Sequence, residues 1–288
     1  MTQPRPVVLS TIGQTREVIA SRRGDSHERI VLVPTLGALH AGHLALVERA
    51  RELGSTVIVS IFVNPLQFGV GEDFEKYPKT LESDLDKLAE AGVAYVFAPS
   101  VDEMYPDGDV QTRVVAGAVG RLYEGASRPG HFDGVLTVVA KLLGIVTPDY
   151  VIFGEKDAQQ LFLVRRMVAD LNLPVQVESV EIVREASGLA LSSRNTYLDE
   201  REKRAATALS RALDAAESYG DRGVDAVVGA AQSVVMGESL VQVDYLRVVD
   251  PQTFLPADDG YTGPALVLIA ARVGGTRLID NRRILLAD

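Results

Sequence analysis

Two histidines with two residues between them lie where a predicted strand passes into a predicted helix. The stretch "VPTLGALHAGHLALV" (33–47) contains His40 and His43, with Gly42 directly before the second. If the helix begins near Ala41, side chains three residues apart are neighbours, so both imidazoles can face one anion. A helix N-terminus attracts negative charge, and a glycine lets a bulky group approach the backbone. The pattern favours a nucleotide phosphate site, with a pair of solvated histidines as the ordinary alternative.

A zinc site is a weaker interpretation of the same pair. Catalytic zinc generally needs three protein ligands. The chain has no cysteine, and its other two histidines, His27 and His131, have no obvious companion spacing.

Charged groups follow two other extended segments. "FGEKDAQQ" (153–160) places Lys156 and Asp157 after a strand, and "LSSRN" (191–195) supplies two hydroxyls and Arg194 in a loop that suits a mobile anion clamp. Each has an ordinary alternative, a surface charge cluster for the first and a polar linker with helix-capping serines for the second.

Neutral amides follow a further buried strand. In "SIFVNPLQF" (60–68), Asn64 and Gln67 can orient a small polar substrate. An Asn-Pro turn that closes the strand is the more common explanation of such residues.

Alternating strands and helices must position these groups. "RIVLVP" (29–34) and "STVIVSIFVNP" (55–65) are apolar runs typical of buried parallel strands, and a helical pattern over 42–54 separates them. The alternation continues to about residue 185, which predicts an α/β fold with a Rossmann-like parallel sheet in residues 1–185. Ligands of such sheets bind beyond the carboxyl ends of the strands, where the polar segments lie.

The last hundred or so residues have a different pattern. A long Ala-rich helix is predicted over about 199–218 and a second helix to about 237, followed by strands around Gly274-Gly275, a two-residue hairpin signal. Residues 186–288 are therefore expected to form a smaller C-terminal α+β domain.

Composition excludes several classes of protein. The 288 residues include 29 Lys and Arg against 39 Asp and Glu, a formal charge of -10 that repels nucleic acid. The lack of cysteine rules out disulfides and a thiol nucleophile. The N-terminus does not resemble a secretory signal, and the longest apolar runs fall short of the ~20 residues that span a bilayer. We expect a cytoplasmic protein with no membrane partner.

Six segments together resemble the pantothenate synthetase (pantoate–β-alanine ligase) family of the nucleotidyltransferase superfamily. In family order they are "VPTLGALHAGH", "SIFVNPLQFG", "EDFEKYPKT", "RPGHFDGVLTVVAKL", "FGEKDAQQL" and "GLALSSRNTYL". The H-x-G-H piece alone is weak, because class I aminoacyl-tRNA synthetases share it, but the set of six is highly specific. The resemblance implies an ATP-dependent ligase that condenses (R)-pantoate with β-alanine through a pantoyl adenylate, releasing pyrophosphate and AMP.

The resemblance also implies the residues of the site. His43 is the position usually assigned as proton donor, and His40, Lys156 and Arg194 are further candidates for catalysis by neutralising phosphate charge. Gln67 and Gln160 would bind pantoate, and Gln67 would also lie near β-alanine. The residues that would bind ATP are Leu36, Gly37, Ala38, Leu39, His40, Ala41, Gly42, His43, Gly154, Glu155, Lys156, Asp157, Val183, Leu191, Ser192, Ser193 and Arg194.

Three positions depart from the commoner family pattern. Leu36 and Leu191 stand where methionine is usual, which nearly conserves volume. Ala158 stands where an aromatic residue is frequent, a larger loss of side chain next to Asp157.

Further expectations from the resemblance are less local. Arg128 and His131 are placed near the site. Mg²⁺ is expected with ATP and has no assigned protein ligand, Asp84 being a possible indirect partner but more simply a favourable charge at a helix start. A homodimer is expected. The alternatives are a nucleotidyltransferase of the same superfamily acting on another small acid or a phosphate ester, and a nucleotide sensor without catalysis.

Overall fold

A computed structural model describes residues 4–26, 28–69, 71–72, 74–108 and 110–287. The chain forms two compact units, Met1–Glu155 with Gln159–Glu181, and Lys156–Ala158 with Ile182–Asp288. His27, weighed above as a zinc ligand, lies outside the described residues. None of the described helices is long and apolar enough to cross a membrane.

The first unit is built on a six-stranded parallel sheet in the order β1-β4-β3-β2-β5-β6. Its strands are β1 (Val7–Leu9), β2 (Ile30–Thr35), β3 (Thr56–Ile61), β4 (Tyr95–Phe97), β5 (Tyr150–Gly154) and β6 (Gln176–Val180). Its helices are α1 (Ile12–Ser26), α2 (Ala41–Leu53), α3 (Leu81–Glu90), α4 (Val101–Met104), α5 (Glu124–Ser127), α6 (His131–Val146) and α7 (Ala158–Asp170). The predicted Rossmann-like parallel sheet is confirmed.

The strand order locates the ligand crevice of this sheet. The chain runs outward from β2 through β3 to β4 and then returns to β5 on the other side of β2. The carboxyl ends of β2 and β5 therefore flank a topological switch point, where ligands of open α/β sheets bind. The segment 36–40 follows β2 there, and Glu155 follows β5.

Buried apolar strands explain why this sheet forms. Ile30, Leu32 and Ile58 face one apolar cluster, while Val31, Val33 and Val59 face another. Side chains alternate across a strand, so these two sets require cover on both faces of the sheet. Helix α6 supplies much of the cover on the first face, because most of its residues are buried.

The second unit packs two helices on a three-stranded antiparallel sheet. It comprises α8 (Glu200–Glu217), α9 (Gly223–Met236), β7 (Val241–Val249), β8 (Gly263–Val273) and β9 (Thr276–Leu286). Val273 pairs with Thr276, so Gly274 and Gly275 form the predicted two-residue hairpin loop. The predicted α+β architecture is confirmed.

Candidate active site

The His40–His43 pair closes the start of helix α2. His40 has extended backbone angles (φ -133°, ψ 178°) and is the N-cap residue, directly before Ala41. The Gly42 amide donates to Nδ1 of His40 (3.1 Å), and the His40 amide donates to Nδ1 of His43 (3.3 Å). This reciprocal arrangement is a capping box made by two histidines. Helix α2 therefore begins at Ala41, which meets the condition under which the two imidazoles are neighbours.

The capping box also decides which imidazole nitrogens carry protons. Because each Nδ1 accepts a backbone N–H, the proton of each neutral ring lies on Nε2. The ring centroids are only 4.1 Å apart. His40 and His43 therefore form a paired set of Nε2–H donors at the carboxyl end of β2.

A buried carboxylate holds the loop that leads to the histidines. Asp84 of α3 is fully buried and accepts from the amides of Ala38 and Leu39, both at 2.9 Å. Thr80 donates its hydroxyl to the same carboxylate (3.0 Å), and Lys87 lies 3.7 Å from it while donating to the Leu39 carbonyl (2.7 Å). The sequence favours Asp84 mainly as a charge at a helix start. Its main contacts instead fix the predicted ATP loop.

Gly37 lets this loop approach Asp84 closely. Its φ of +83° lies in the left-handed region, which residues with a Cβ rarely adopt. A Cβ built there would lie 3.1 Å from Ile61 and 3.3 Å from the Asp84 carboxylate. The positive φ therefore favours a glycine, and a Cβ would also require Ile61 and Asp84 to shift slightly.

We predict that Asp84→Asn destabilises the protein and weakens ATP binding. The isosteric amide would place an NH₂ against a backbone N–H, and the loss of charge-assisted hydrogen bonds should lower the free energy of unfolding by about 1.5–3 kcal/mol. Urea denaturation and ATP titration measure the two effects. The matched control is Asp86→Asn on the same helix, where the carboxylate is 63% exposed and pairs with Arg5. Equal stability of the two variants would contradict the assigned role of Asp84.

Gln67 ends a short 3₁₀ turn, Pro65–Gln67, that follows β3. Asn64 caps this turn by accepting the Leu66 amide, and its Nδ2 donates to the Gly134 carbonyl (3.1 Å) and to Oε1 of Gln67 (3.2 Å). The Asn64 side chain therefore serves the turn, as the ordinary interpretation of Asn-Pro expects. Of Asn64 and Gln67, Gln67 therefore remains the candidate for binding substrate.

Arg128 and His131 contact the backbone of this turn. Nδ1 of His131 lies 2.7 Å from the Gln67 carbonyl, an acceptor, so Nδ1 carries the proton. Its Nε2 lies 2.9 Å from Arg128, which also makes a two-pronged ion pair with Glu72 (2.8 and 2.7 Å). Burial and the Arg128 charge lower the pKa of His131 to about 4, and the Arg128 hydrogen bonds lower the pKa of Glu72. Neutral His131 thus anchors Gln67, a role that its sequence position does not disclose.

We predict that this network loses stability in acid. The unfolded His131 protonates near its ordinary pKa of 6.5, but the folded one protonates only near 4. Its contribution is therefore complete above pH 6.5 and is lost as the pH falls from 6.5 to 4, by about 1–2 kcal/mol at pH 5. Urea unfolding at pH 7.5 and 5 should show a larger loss in the parent protein than in His131→Asn, whose amide can donate to the same carbonyl without titrating. Equal losses would remove His131 as the cause.

The end of β5 and the start of α7 carry the next candidates of the first unit. Gly154 ends β5 opposite Val180, and Glu155 accepts the hydroxyl of Ser179 (2.9 Å). Gln160 is partly exposed on α7.

The adjacent glutamine of α7 has a structural role. Gln159 is buried and donates Nε2 to the carbonyls of Val119 and Leu122 (2.8 and 2.9 Å), while its Oε1 accepts the Glu124 amide (3.1 Å). Of the two neighbouring glutamines, Gln160 thus remains the candidate for binding substrate.

The remaining candidates belong to the second unit. Lys156 and the exposed Asp157 lie in a 3₁₀ turn, and Asn281 donates its side-chain amide to the Lys156 carbonyl (2.9 Å). The Leu191 amide donates to the Val183 carbonyl (2.9 Å), which brings these two predicted ATP residues together.

The serine and arginine candidates follow directly. Ser192 accepts the Arg194 amide (3.3 Å) and caps the 3₁₀ helix Ser193–Tyr197. Ser192 is thus a helix-capping serine, as its ordinary interpretation expects, which leaves the predicted ATP contact of this segment open.

A protein-bound metal centre has no support in the described part of the chain. Within residues 4–26, 28–69, 71–72, 74–108 and 110–287, no group of three or more His, Asp or Glu is placed to hold a metal ion. The zinc interpretation of His40 and His43 gains no support there.

Comparisons with known proteins bear on the whole chain. The sequence model described as pantoate-beta-alanine ligase matches residues 7–283. The pantothenate synthetase of Leifsonia xyli subsp. xyli is 58% identical, with 97% of this chain and 96% of that protein covered. That of Acidothermus cellulolyticus is 51% identical, with 99% and 93% covered.

Solved structures agree with the sequence comparisons. The crystal structure of pantothenate synthetase from Thermus thermophilus matches with a TM-score of 0.89 at 47% identity, covering 98% of this chain and 99% of that one. The pantoate-beta-alanine ligase from Francisella tularensis, in complex with "Beta-gamma ATP" and β-alanine, matches with a TM-score of 0.79 at 32% identity, covering 96% and 97%. On these matches in sequence and fold, the chain belongs to the pantoate–β-alanine ligase family.

Proposed function

We propose that this ATP-dependent ligase works in two steps through a pantoyl adenylate. In the first step a carboxylate oxygen of (R)-pantoate attacks the α-phosphorus of ATP, and pyrophosphate leaves. In the second step the amine of β-alanine attacks the acyl carbon, giving pantothenate and AMP. The single observation that carries this proposal is the pair of Nε2–H donors fixed by the His40–His43 capping box at the end of β2.

The first step needs positioning and charge neutralisation more than proton transfer. The attacking carboxylate is already ionised at neutral pH, and pyrophosphate is a good leaving group. Donors that meet the phosphate oxygens more strongly in the transition state than in bound ATP accelerate such a step. We propose that His40, His43, Lys156 and Arg194 are these donors, and that a hydrogen-bonding role is sufficient for His43.

The other site residues are proposed to bind the three substrates. Backbone amides around Gly37 and Gly42 would approach ATP, since α2 begins there with a favourable dipole. The remaining ATP contacts are proposed for Leu36, Ala38, Leu39, Ala41, Gly154, Glu155, Asp157, Val183, Leu191, Ser192 and Ser193. Gln67 and Gln160 would bind pantoate, and Gln67 would also lie near β-alanine.

Magnesium is proposed to enter with ATP as part of the substrate. Mg²⁺ keeps several waters and commonly uses only one or two protein carboxylates besides phosphates. Asp84 does not fit as a direct ligand, because both its oxygens already accept loop amides. Phosphate oxygens and water would therefore supply most of the ligands.

The wider organisation is also proposed. We propose that residues 1–185 bind ATP and pantoate and that residues 186–288 act as a lid. We further propose that the enzyme is a cytoplasmic homodimer, for which the support is the family resemblance.

Exchange of labelled pyrophosphate into ATP tests the two-step route. We expect exchange that requires pantoate and proceeds without β-alanine, with AMP appearing only after β-alanine is added. A nucleotidyltransferase acting on a phosphate ester would retain the nucleotide in its product, and a nucleotide sensor would release no pyrophosphate. Pyrophosphate release that required β-alanine would contradict a free-standing adenylation step.

A further inference from the structure

Strand β9 carries two adjacent buried polar residues. Asp280 and Asn281 are 4% and 5% exposed, on a strand that also buries Leu278, Ile284 and Leu286. A buried carboxylate is costly unless it is paired and hydrogen-bonded. The partners of these two residues therefore indicate what they are for.

Asp280 holds a short segment that lies between the predicted ATP-binding residues Val183 and Leu191. Its carboxylate binds Arg184 in a two-pronged ion pair (2.7 and 2.9 Å), across 96 residues of sequence. The same guanidinium donates to the Gly188 carbonyl (3.0 Å). One arginine thus connects β9 to both ends of the short segment 184–188.

That segment is part of a small hairpin that leads into the serine and arginine candidates. Arg184 bridges to Ala190, and Leu191 donates to the Val183 carbonyl (2.9 Å). The side chain of Asn195 donates to the Ala190 carbonyl (3.0 Å). The contacts at the base of the hairpin therefore fix the position of the backbone that leads into residues 191–194.

Asn281 holds the turn that contains Lys156. Its side-chain amide donates to the carbonyl of Lys156 (2.9 Å), and its backbone amide donates to the Asp280 carboxylate (2.8 Å). Strand β9 is paired with β8 from Thr276 to Leu286, so the two residues lie on a continuous ladder. Two neighbours on one paired strand thus bind the backbone of Lys156 and the base of the hairpin before Arg194.

We propose that Asp280 and Asn281 are positioning residues that fix Lys156 and Arg194 relative to each other for adenylate formation. The proposal rests on the proposed function, since it assumes that these two cations meet the phosphates. Neither Asp280 nor Asn281 needs to touch substrate. A displacement of about 1 Å in a catalytic group can cost on the order of 10²-fold in rate, so loosening either link should slow the first step.

The link through Asn281 is tested by a double-mutant cycle. Asn281→Leu keeps the approximate shape and removes the donor, and we expect it to slow single-turnover adenylate formation by about 10–100-fold. In a Lys156→Met background the same change should slow the step less than about 3-fold further, because the group that it positions is already gone. Equal losses in the two backgrounds would overturn the proposal.

The link through Asp280 has a control on the same sheet. Asp244 pairs with Arg277 of β9 (2.6 Å), and its side chain is 24% exposed against 3% for Asp280. Asp280→Asn should slow adenylate formation, and in an Arg194→Ala background it should add little, whereas Asp244→Asn should only lower the unfolding midpoint. Equal slowing by Asp244→Asn and Asp280→Asn would overturn the proposal.

Two further outcomes must be distinguished: a failure of Asp280→Asn to yield folded protein, and adenylate formation that does not need Lys156 and Arg194. If Asp280→Asn does not fold, Arg184→Lys, which keeps the charge and loses the two-pronged geometry, takes its place with the same expected rates. If Lys156→Met and Arg194→Ala themselves form adenylate at the parent rate, the proposed function of these cations fails and the positioning role falls with it. Slow single variants with additive effects would instead remove the positioning role alone.

Discussion

His43→Asn is expected to slow pantoyl-adenylate formation by about 10²–10³-fold while the enzyme stays folded. The asparagine side chain can still accept the His40 amide, as Nδ1 of His43 does in the capping box. It cannot place a donor where Nε2 lies. The variant therefore removes the proposed phosphate donor and keeps the start of α2, so rapid-quench measurement of the adenylate burst isolates the chemical role.

His43→Gln distinguishes a hydrogen-bond donor from a proton donor. The longer glutamine amide reaches toward the Nε2 position and can donate a hydrogen bond, but it cannot give up a proton. If hydrogen bonding is sufficient, His43→Gln should recover at least about tenfold of the rate lost in His43→Asn, within the range expected for one preorganised donor. A burst in His43→Asn close to that of the parent enzyme would contradict any catalytic role for this side chain.

Local patterns predict the strands of the sheet and helix α2 well. The apolar runs of β2 and β3, and the glycine after α2, are visible within a few residues of sequence, and the helical pattern over 42–54 predicts α2 to within a residue at each end. Strand β1 and helix α1 escape prediction. Val7 and Val8 of β1 are exposed, and Ile19 is the one buried apolar core residue among those described in α1, so neither element shows a clear periodicity.

Long-range partners cannot be predicted in the same way. Asp84 lies 46 residues from Ala38, and nothing in "TLESDLDKL" indicates that its carboxylate binds a loop before another helix. Asp280 lies 96 residues from Arg184. Such pairs are set by how the strands are ordered in three dimensions, which a single sequence discloses only through family resemblance. The sequence therefore discloses candidates for the chemistry, but not the residues that hold them in place.

Lys156→Met is also expected to slow pantoyl-adenylate formation by about 10²–10³-fold. The reaction builds negative charge on the oxygens of the α-phosphate and on the departing pyrophosphate, and a lysine ammonium can follow that charge as a compact point donor. Methionine keeps the length and flexibility of the side chain without the charge. Because Asn281 binds the backbone carbonyl of Lys156 and not its side chain, the turn should retain its anchor in the variant.

Two comparisons separate charge neutralisation at the site from a general loss of positive charge. Lys203→Met removes a lysine of α8 that pairs with the exposed Glu200, and it should leave the adenylate burst unchanged. Adding ethylammonium to Lys156→Ala should restore part of the lost rate, since a small cation can enter the space that the truncated side chain leaves. ATP affinity should fall much less than the rate, because the donor is proposed to be stronger toward the transition state than toward bound ATP. A burst of normal size and speed in Lys156→Met would show that the lysine is a surface charge, the ordinary interpretation of its segment.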